Sequence, residues 1–286
     1  MRKVLSSSAA APGHWVGDGF PVRPLFSHMS GDNANTPFLM LDYAGPHEFA
    51  PAAAPRGVGT HPHKGFETVT IVYEGEVEHG DSTGQGGVIR EGDVQWMTAG
   101  NGILHREFHS GEYTKRGGAF EMVQLWVNLP AADKSTAPGY QGISNAQIPV
   151  VDLPGDAGTL RVIAGDYAGT TGPAKTFTPI EVWDIRLGAG KGLTLNPPEG
   201  HNVLVVALSG KVTVNGQTRL DGPATARLTR SGGEFVLDAE SNAKLLVLAG
   251  APIDEPVAAY GPFVMNTEAE IRQAITDFNA GRFGQL

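Results

Sequence analysis

The stretch His61-Pro62-His63-Lys64-Gly65-Phe66-Glu67-Thr68-Val69-Thr70-Ile71-Val72-Tyr73-Glu74-Gly75-Glu76-Val77 decides the reading of the fold. Phe66 to Tyr73 is a β-branched and aromatic run, the composition of a half-buried pleated surface. Glu74-Gly75-Glu76 breaks it, and Val77-Glu78-His79 resumes it, so a strand, a glycine turn and a second strand are expected. The two histidines ahead of the run stand at i and i+2. On a strand that spacing sends both imidazoles to one side.

Outward from this stretch the pattern repeats. Val88-Ile89, Val94 to Thr98, Ile103 to Phe108 and Phe120 to Leu129 are short apolar runs, separated by turns such as Glu91-Gly92-Asp93 and Ala99-Gly100-Asn101-Gly102. Strands this short, with glycine turns this regular, indicate a barrel or sandwich rather than βαβ units. Residues 15 to 49 read as edge strands and loops, with turn signals at Gly17-Asp18-Gly19 and Gly31-Asp32-Asn33. Pro46 to Gly59 reads as a loop, and residues 130 to 149 as a polar connector. A second β-rich half follows, with runs at 160–164, 180–187, 203–208, 211–214, 234–237 and 244–248. Its turn Leu208-Ser209-Gly210-Lys211-Val212 parallels Tyr73-Glu74-Gly75-Glu76-Val77, a hint of duplication. The tail differs. Thr267-x-x-Glu270 has the form of a capping box, and Ile271, Ala274, Ile275 and Phe278 follow at helical spacing, so a helix is expected over 267–280. The expectation is an all-β protein of two domains, residues 1–135 and 136–286, with a short C-terminal helix in the second.

His105-Arg106-Glu107 repeats the i, i+2 arrangement with an imidazole and a carboxylate. Together, His61, His63, His105 and Glu107 offer three nitrogens and one oxygen. That donor set suits one divalent transition metal, with Fe(II), Mn, Ni, Cu, Co and Zn all compatible. Glu67 shares the parity of His61 and His63 and could reach the same space. A lone histidine is more often a surface or core residue than a ligand, so His14, His28, His47 and His79 are read as surface or supporting groups. His109 is read the same way, although its parity with His105 and Glu107 makes it the reserve ligand. His201 has no histidine at i±2, so no second metal site is expected in the second half. Trp96, Met97, Phe66 and Phe120 are read as barrel core, with an apolar cavity wall as the alternative.

Bulk properties exclude several classes. The 286 residues carry a net charge of −9 with no run of Lys or Arg longer than two, which argues against a broad grip on nucleic acid. There are no cysteines, so disulfides, thiolate metal sites and thiol nucleophiles are absent. Ser6 to Ser8 interrupt the early apolar residues too soon for a secretory signal. No stretch reaches the ~18 apolar residues a membrane span needs. A cytoplasmic monomer is expected.

These residues resemble the pirin family, two-domain members of the cupin superfamily, over nearly the whole chain. The resemblance rests on Val16-Gly17-Asp18-Gly19-Phe20, Phe38-Leu39-Met40-Leu41-Asp42, His61 to Thr70 and Gly92 to Gly100. It continues in Gly261-Pro262-Phe263-Val264-Met265-Asn266-Thr267 and Ala280-Gly281-Arg282-Phe283-Gly284. Thr98 stands where the general cupin pattern often has Pro, and His105 follows Gly100 later than that pattern has it; both are usual for pirins. The resemblance implies two jelly-roll (cupin) barrels face to face. One metal, commonly iron, would sit on His61, His63, His105 and Glu107, and the second barrel would have none. It further implies an activity of the quercetin 2,3-dioxygenase type. A flavonol-like aromatic would be the substrate with O₂, the heterocycle would open across its C2–C3 bond with loss of carbon monoxide, and Glu107 would double as general base. The alternative it implies is a regulatory protein, metal- or redox-dependent, that binds a transcription factor or a metabolic enzyme. A cupin isomerase or carbohydrate-modifying enzyme is a third and weaker reading.

Overall fold

The computed structural model describes residues 1–30 and 33–286. The turn expected at Gly31-Asp32-Asn33 falls largely outside them. Strands dominate, and among the described residues two short α-helices accompany them: α1 (Gly111–Arg116) and α2 (Glu268–Asn279). The chain divides into two compact units. The first holds β2 (His14–Val16), β3 (Phe20–Ser27), β4 (Phe38–Phe49), β5 (Gly57–His63) and β6 (Phe66–Glu74). It also holds β7 (Val77–Asp81), β8 (Gly86–Ile89), β9 (Val94–Thr98), β10 (Ile103–His109), β11 (Gly118–Asn128) and β12 (Gly139–Ile143). The strand ahead of them, β1 (Val4–Ala9), belongs to the second unit.

In the first unit a seven-stranded sheet of order β12-β9-β6-β11-β4-β3-β2 accompanies a four-stranded sheet of order β5-β10-β7-β8. All pairings within them are antiparallel. This double-sheet arrangement is a jelly roll. The second unit repeats the plan. Its large sheet runs Val4–Ala9, Ala224–Leu228, Asn202–Ser209, Ala243–Gly250, Ile180–Leu187, Gly158–Ala164, Val150–Asp152. Its small sheet runs Gly192–Leu195, Phe235–Ala239, Lys211–Val214, Thr218–Asp221. Gly75 and Gly210 occupy the same turn in the two units at φ +82° and +83°, a conformation that L side chains avoid. At Gly75 an added Cβ would also stand 2.8 Å from the Phe120 ring. The duplication hinted at by these turns is therefore present in the strand order itself.

The structure corrects the domain division at 135/136. Residues 1–11 belong to the second unit, because β1 pairs with Ala224–Leu228 and takes the edge place that β12 takes in the first. Residues 253–286, α2 included, belong to the first unit. There Ile271 and Ala274 pack with Phe263, Met265 and Phe283. The expected capping box closes α2: Thr267 accepts from the Glu270 N–H, and the Glu270 carboxylate accepts from the Thr267 N–H. Two local expectations also change. The connector contains β12, paired to β9 with Gln141 opposite Trp96. Phe38–Phe49 is no edge strand but lies between β11 and β3. Its polar, Pro-containing end (Pro46-His47-Glu48) is the exposed part of that strand and hides its length in the sequence.

The second unit is filled. Leu193, Leu195, Trp183, Val205, Val212, Val214, Leu237 and Val247 belong to one buried apolar cluster. The first unit divides its apolar core into smaller clusters, one of them around Phe20, Phe49, Val72, Tyr113 and Phe120, and buries polar groups as well.

Candidate metal centre

The small sheet of the first unit builds the site. In the antiparallel ladder of β5 and β10, His105 stands opposite His61, and Ile103 opposite His63. The register then shifts: Glu107 pairs with Val58, one more residue being used on the β5 side. Such bulges re-aim side chains beside functional sites. Alternation along β10 turns Ile103, His105, Glu107 and His109 inward and leaves Arg106 exposed.

The imidazoles of His61, His63 and His105 meet. Their ring centroids are 4.2 Å (61–105), 4.7 Å (63–105) and 4.9 Å (61–63) apart. One donor atom from each lies within 4.8 Å of the others. The same holds for a second, overlapping group: His79, His105 and Glu107. His105 thus joins the histidines of β5 to Glu107.

Hydrogen bonds prepare the rings. His61 Nδ1 is 2.8 Å from the Gly59 carbonyl, which takes its proton and leaves Nε2 with a lone pair. His79 Nε2 lies 3.3 Å from the Asp81 carboxylate, and His79 Nδ1 lies 3.4 Å from His105 Nδ1. The carboxylate only accepts, so His79 donates to it, and His105 donates to His79; these tautomers are assigned from the network. His105 Nε2 then carries a free lone pair, and it is buried with no partner. His63 hydrogen-bonds the Pro262 carbonyl, and its Nδ1 is likewise buried and unpartnered. Desolvation holds all three imidazoles neutral. It brings His63 down to about 3, with His61 adding repulsion, and holds His105 well below the ordinary imidazole range, with His63, His61 and His79 adding repulsion.

Glu107 is 6% exposed, and burial pushes its carboxyl up to about 7. Its protein hydrogen bond is long, 3.5 Å from Thr70 Oγ1. The single Thr70 proton has a better acceptor in Gln124 Oε1 at 2.7 Å. Buried polar atoms without partners are costly, and here two unpartnered ring nitrogens stand beside a carboxylate with one long hydrogen bond. Neutral imidazoles with an uncompensated carboxylate are what a divalent cation requires, so these residues fit a metal.

An apolar cavity of about 410 Å³ opens onto the centre. His61, His63 and Glu107 line it, with Val16, Phe20, Val22, Met40, Val58, Met122, Trp126 and Pro262 forming apolar wall and Asp42 and Gln124 adding polar groups. That volume is in the range of small-molecule sites.

Of the four residues chosen from the sequence, the structure groups His61, His63 and His105, and places Glu107 with His105 and His79 in the overlapping group. Glu67 stays out: it accepts from Thr98 Oγ1 at 2.7 Å and is absent from both donor groups. His109 is buried away from the centre, bonded to the Gly19 carbonyl at 2.9 Å and packed on Phe120. His79 is neither exposed nor remote, which the sequence did not show. Only the register of β7 on β10, with His79 opposite Glu107, reveals it. Trp96, Met97, Phe66 and Phe120 are core, and the cavity wall is Trp126, Met40 and Met122. In the second unit His201 pairs with Glu181 at 2.9 Å and belongs to no donor group among the described residues.

Two jelly-roll units of this plan, with a histidine–carboxylate cluster in the first, define a bicupin. The chain belongs to the pirin family: residues 19–127 match the model for Pirin, and residues 182–284 that for the Pirin C-terminal cupin domain. It is 56% identical, over 99% of both chains, to a Pseudomonas aeruginosa protein named "Putative quercetin 2,3-dioxygenase". The crystal structure of quercetin 2,3-dioxygenase from Acinetobacter baumannii superposes with a TM-score of 0.98 at 55% identity, covering 100% of this chain and 99% of that one. The Escherichia coli pirin YhhW, solved in complex with nickel(II), shares the fold at a TM-score of 0.63 and 21% identity, over 87% of this chain and 99% of that one.

Proposed function

We propose that the protein is a metal-dependent dioxygenase that cleaves a flavonol, such as quercetin, with O₂. His61, His63, His105 and Glu107 hold the metal, and Fe(II) is the ion we assign. The observation that carries this reading is the buried cluster of unpartnered imidazole nitrogens beside the weakly bonded Glu107 carboxylate, open to an apolar cavity of aromatic-ligand size. The named relatives support it.

The ion, when bound, supplies Lewis acidity and the redox chemistry that O₂ requires. The chain does the rest. Neutral His61, His63 and His105 present lone pairs in fixed orientation, because Gly59 and His79 hold two of the rings through their other nitrogens. Glu107, with one weak hydrogen bond, has carboxylate lone pairs free to accept the proton of the substrate's chelating hydroxyl. Trp126, Met40, Met122 and Phe20 enclose a planar aromatic and exclude water from the reacting face.

The test is metal analysis followed by oxygen-electrode assay with quercetin, for wild type and Glu107→Ala. One equivalent of metal with O₂ uptake that depends on Glu107 is expected. Metal without uptake of O₂ would refute the dioxygenase and favour a regulatory protein whose metal state alters a binding surface.

A further inference from the structure

The large sheet of the first barrel carries a polar row across four strands. Asp42 (β4), Gln124 (β11), Thr70 (β6) and Gln95 (β9) stand directly opposite one another in register. Two residues along on one side lie Met40 and Trp126, and on the other Ala44, Met122 and Val72. In the second barrel, counted from the equivalent turn at Gly210, the same row is Trp183, Val247, Val205 and Ala226. All four belong to its buried apolar core. The fold therefore accepts this row in apolar form, and polar groups here cost stability unless something pairs with them.

Thr70 meets that need by donating to Gln124 Oε1 at 2.7 Å. Asp42 and the amide NH₂ of Gln124 do not. Both residues line the cavity, and neither Asp42 nor that NH₂ has a hydrogen-bond partner among the described residues. Among the described residues the charged influence on Asp42 opposing its desolvation is His14, and its carboxyl is held at about 6, so it is mostly ionised at neutral pH. An acceptor and a donor side by side match a hydroxyl, which both gives and takes a hydrogen bond. Two strand spacings separate Asp42 from Thr70, and Thr70 touches Glu107. Asp42 therefore stands about 10 Å along the sheet from Thr70, with Gln124 between them.

We propose that Asp42 and Gln124 are the second anchor of the cavity, holding a hydroxyl of an aromatic substrate whose chelating oxygens face His61, His63, His105 and Glu107. This rests on the dioxygenase reading and narrows it. The substrate is a polyhydroxylated aromatic with one hydroxyl remote from its chelating edge. That hydroxyl donates to the Asp42 carboxylate and accepts from the Gln124 amide.

Anaerobic calorimetric titration of the metal-loaded protein tests this with quercetin, which has remote hydroxyls, and 3-hydroxyflavone, which has only the chelating one. Wild type should bind quercetin about 10- to 100-fold more tightly, the effect of a hydrogen bond to a charged group. Asp42→Asn and Asp42→Leu should abolish most of that preference while shifting 3-hydroxyflavone by less than about threefold. Equal affinities in wild type, or a preference that survives both substitutions, overturns the proposal. O₂ uptake on the same samples separates the two readings. Asp42-dependent preference without turnover supports the anchor and refutes the dioxygenase; turnover without the preference does the reverse. Failure of wild type to bind either compound overturns both.

Discussion

Replacing Glu67 by Gln should stabilise the protein at neutral and alkaline pH and not in acid. Glu67 is 1% exposed, four residues beyond His63, and outside the donor groups. Its compensation is a hydrogen bond from Thr98 Oγ1 at 2.7 Å and a lesser contribution from the Trp96 indole N–H. Burial raises its carboxyl from 4.5 to about 7 despite both. Between those values the folded protein retains a proton that the unfolded chain has released. Folding therefore weakens as pH rises through this window, and the loss is complete above about 7. The difference corresponds to about 3 kcal/mol. Glutamine keeps the shape and the acceptor for Thr98, but its NH₂ needs a partner, which costs about 1 kcal/mol. The net expectation is a gain of about 2 kcal/mol at pH 8, shrinking to zero or a small loss near pH 4.5. Urea unfolding of wild type and Glu67→Gln at equal metal load, from pH 4.5 to 8, measures it. Taking the difference cancels every other titrating group. A difference constant across that range would show that Glu67 carries no burial penalty.

Two further outcomes follow from the packing. His79→Phe keeps a ring to stack on Tyr140 but removes the acceptor that fixes His105, so metal affinity should fall about 10- to 100-fold in a chelator competition. Lys134 donates from a buried ammonium to the Gly65 and Val264 carbonyls and to Asn128 Oδ1. Lys134→Met would leave these acceptors unpaired and should cost about 2–4 kcal/mol of stability by urea unfolding.

Chemistry confined to one strand was legible in the sequence. His61 with His63, and His105 with Glu107, announce themselves because a strand has period two, and Thr267 with Glu270 because a helix start has a fixed spacing. Strand limits such as Val94–Thr98 and Ile180–Leu187 followed from apolar runs ended by turns. What depends on pairing between distant strands was not legible. His79 becomes part of the centre through its register with Glu107, and β1 enters the second barrel through a partner more than two hundred residues away. β12 lay hidden in a segment whose polar start reads as a linker. The polar row of Asp42, Gln124, Thr70 and Gln95 is the clearest case. Each residue is unremarked in its own strand, and four registers are needed to align them.

The central claim is that His61, His63, His105 and Glu107 hold one metal ion. Anomalous diffraction from a metal-loaded crystal tests it most directly. A single peak per chain is expected, about 2.0–2.3 Å from donor atoms of those four residues. A peak centred instead on His79, His105 and Glu107 without His61 and His63, or one in the second barrel, would contradict it.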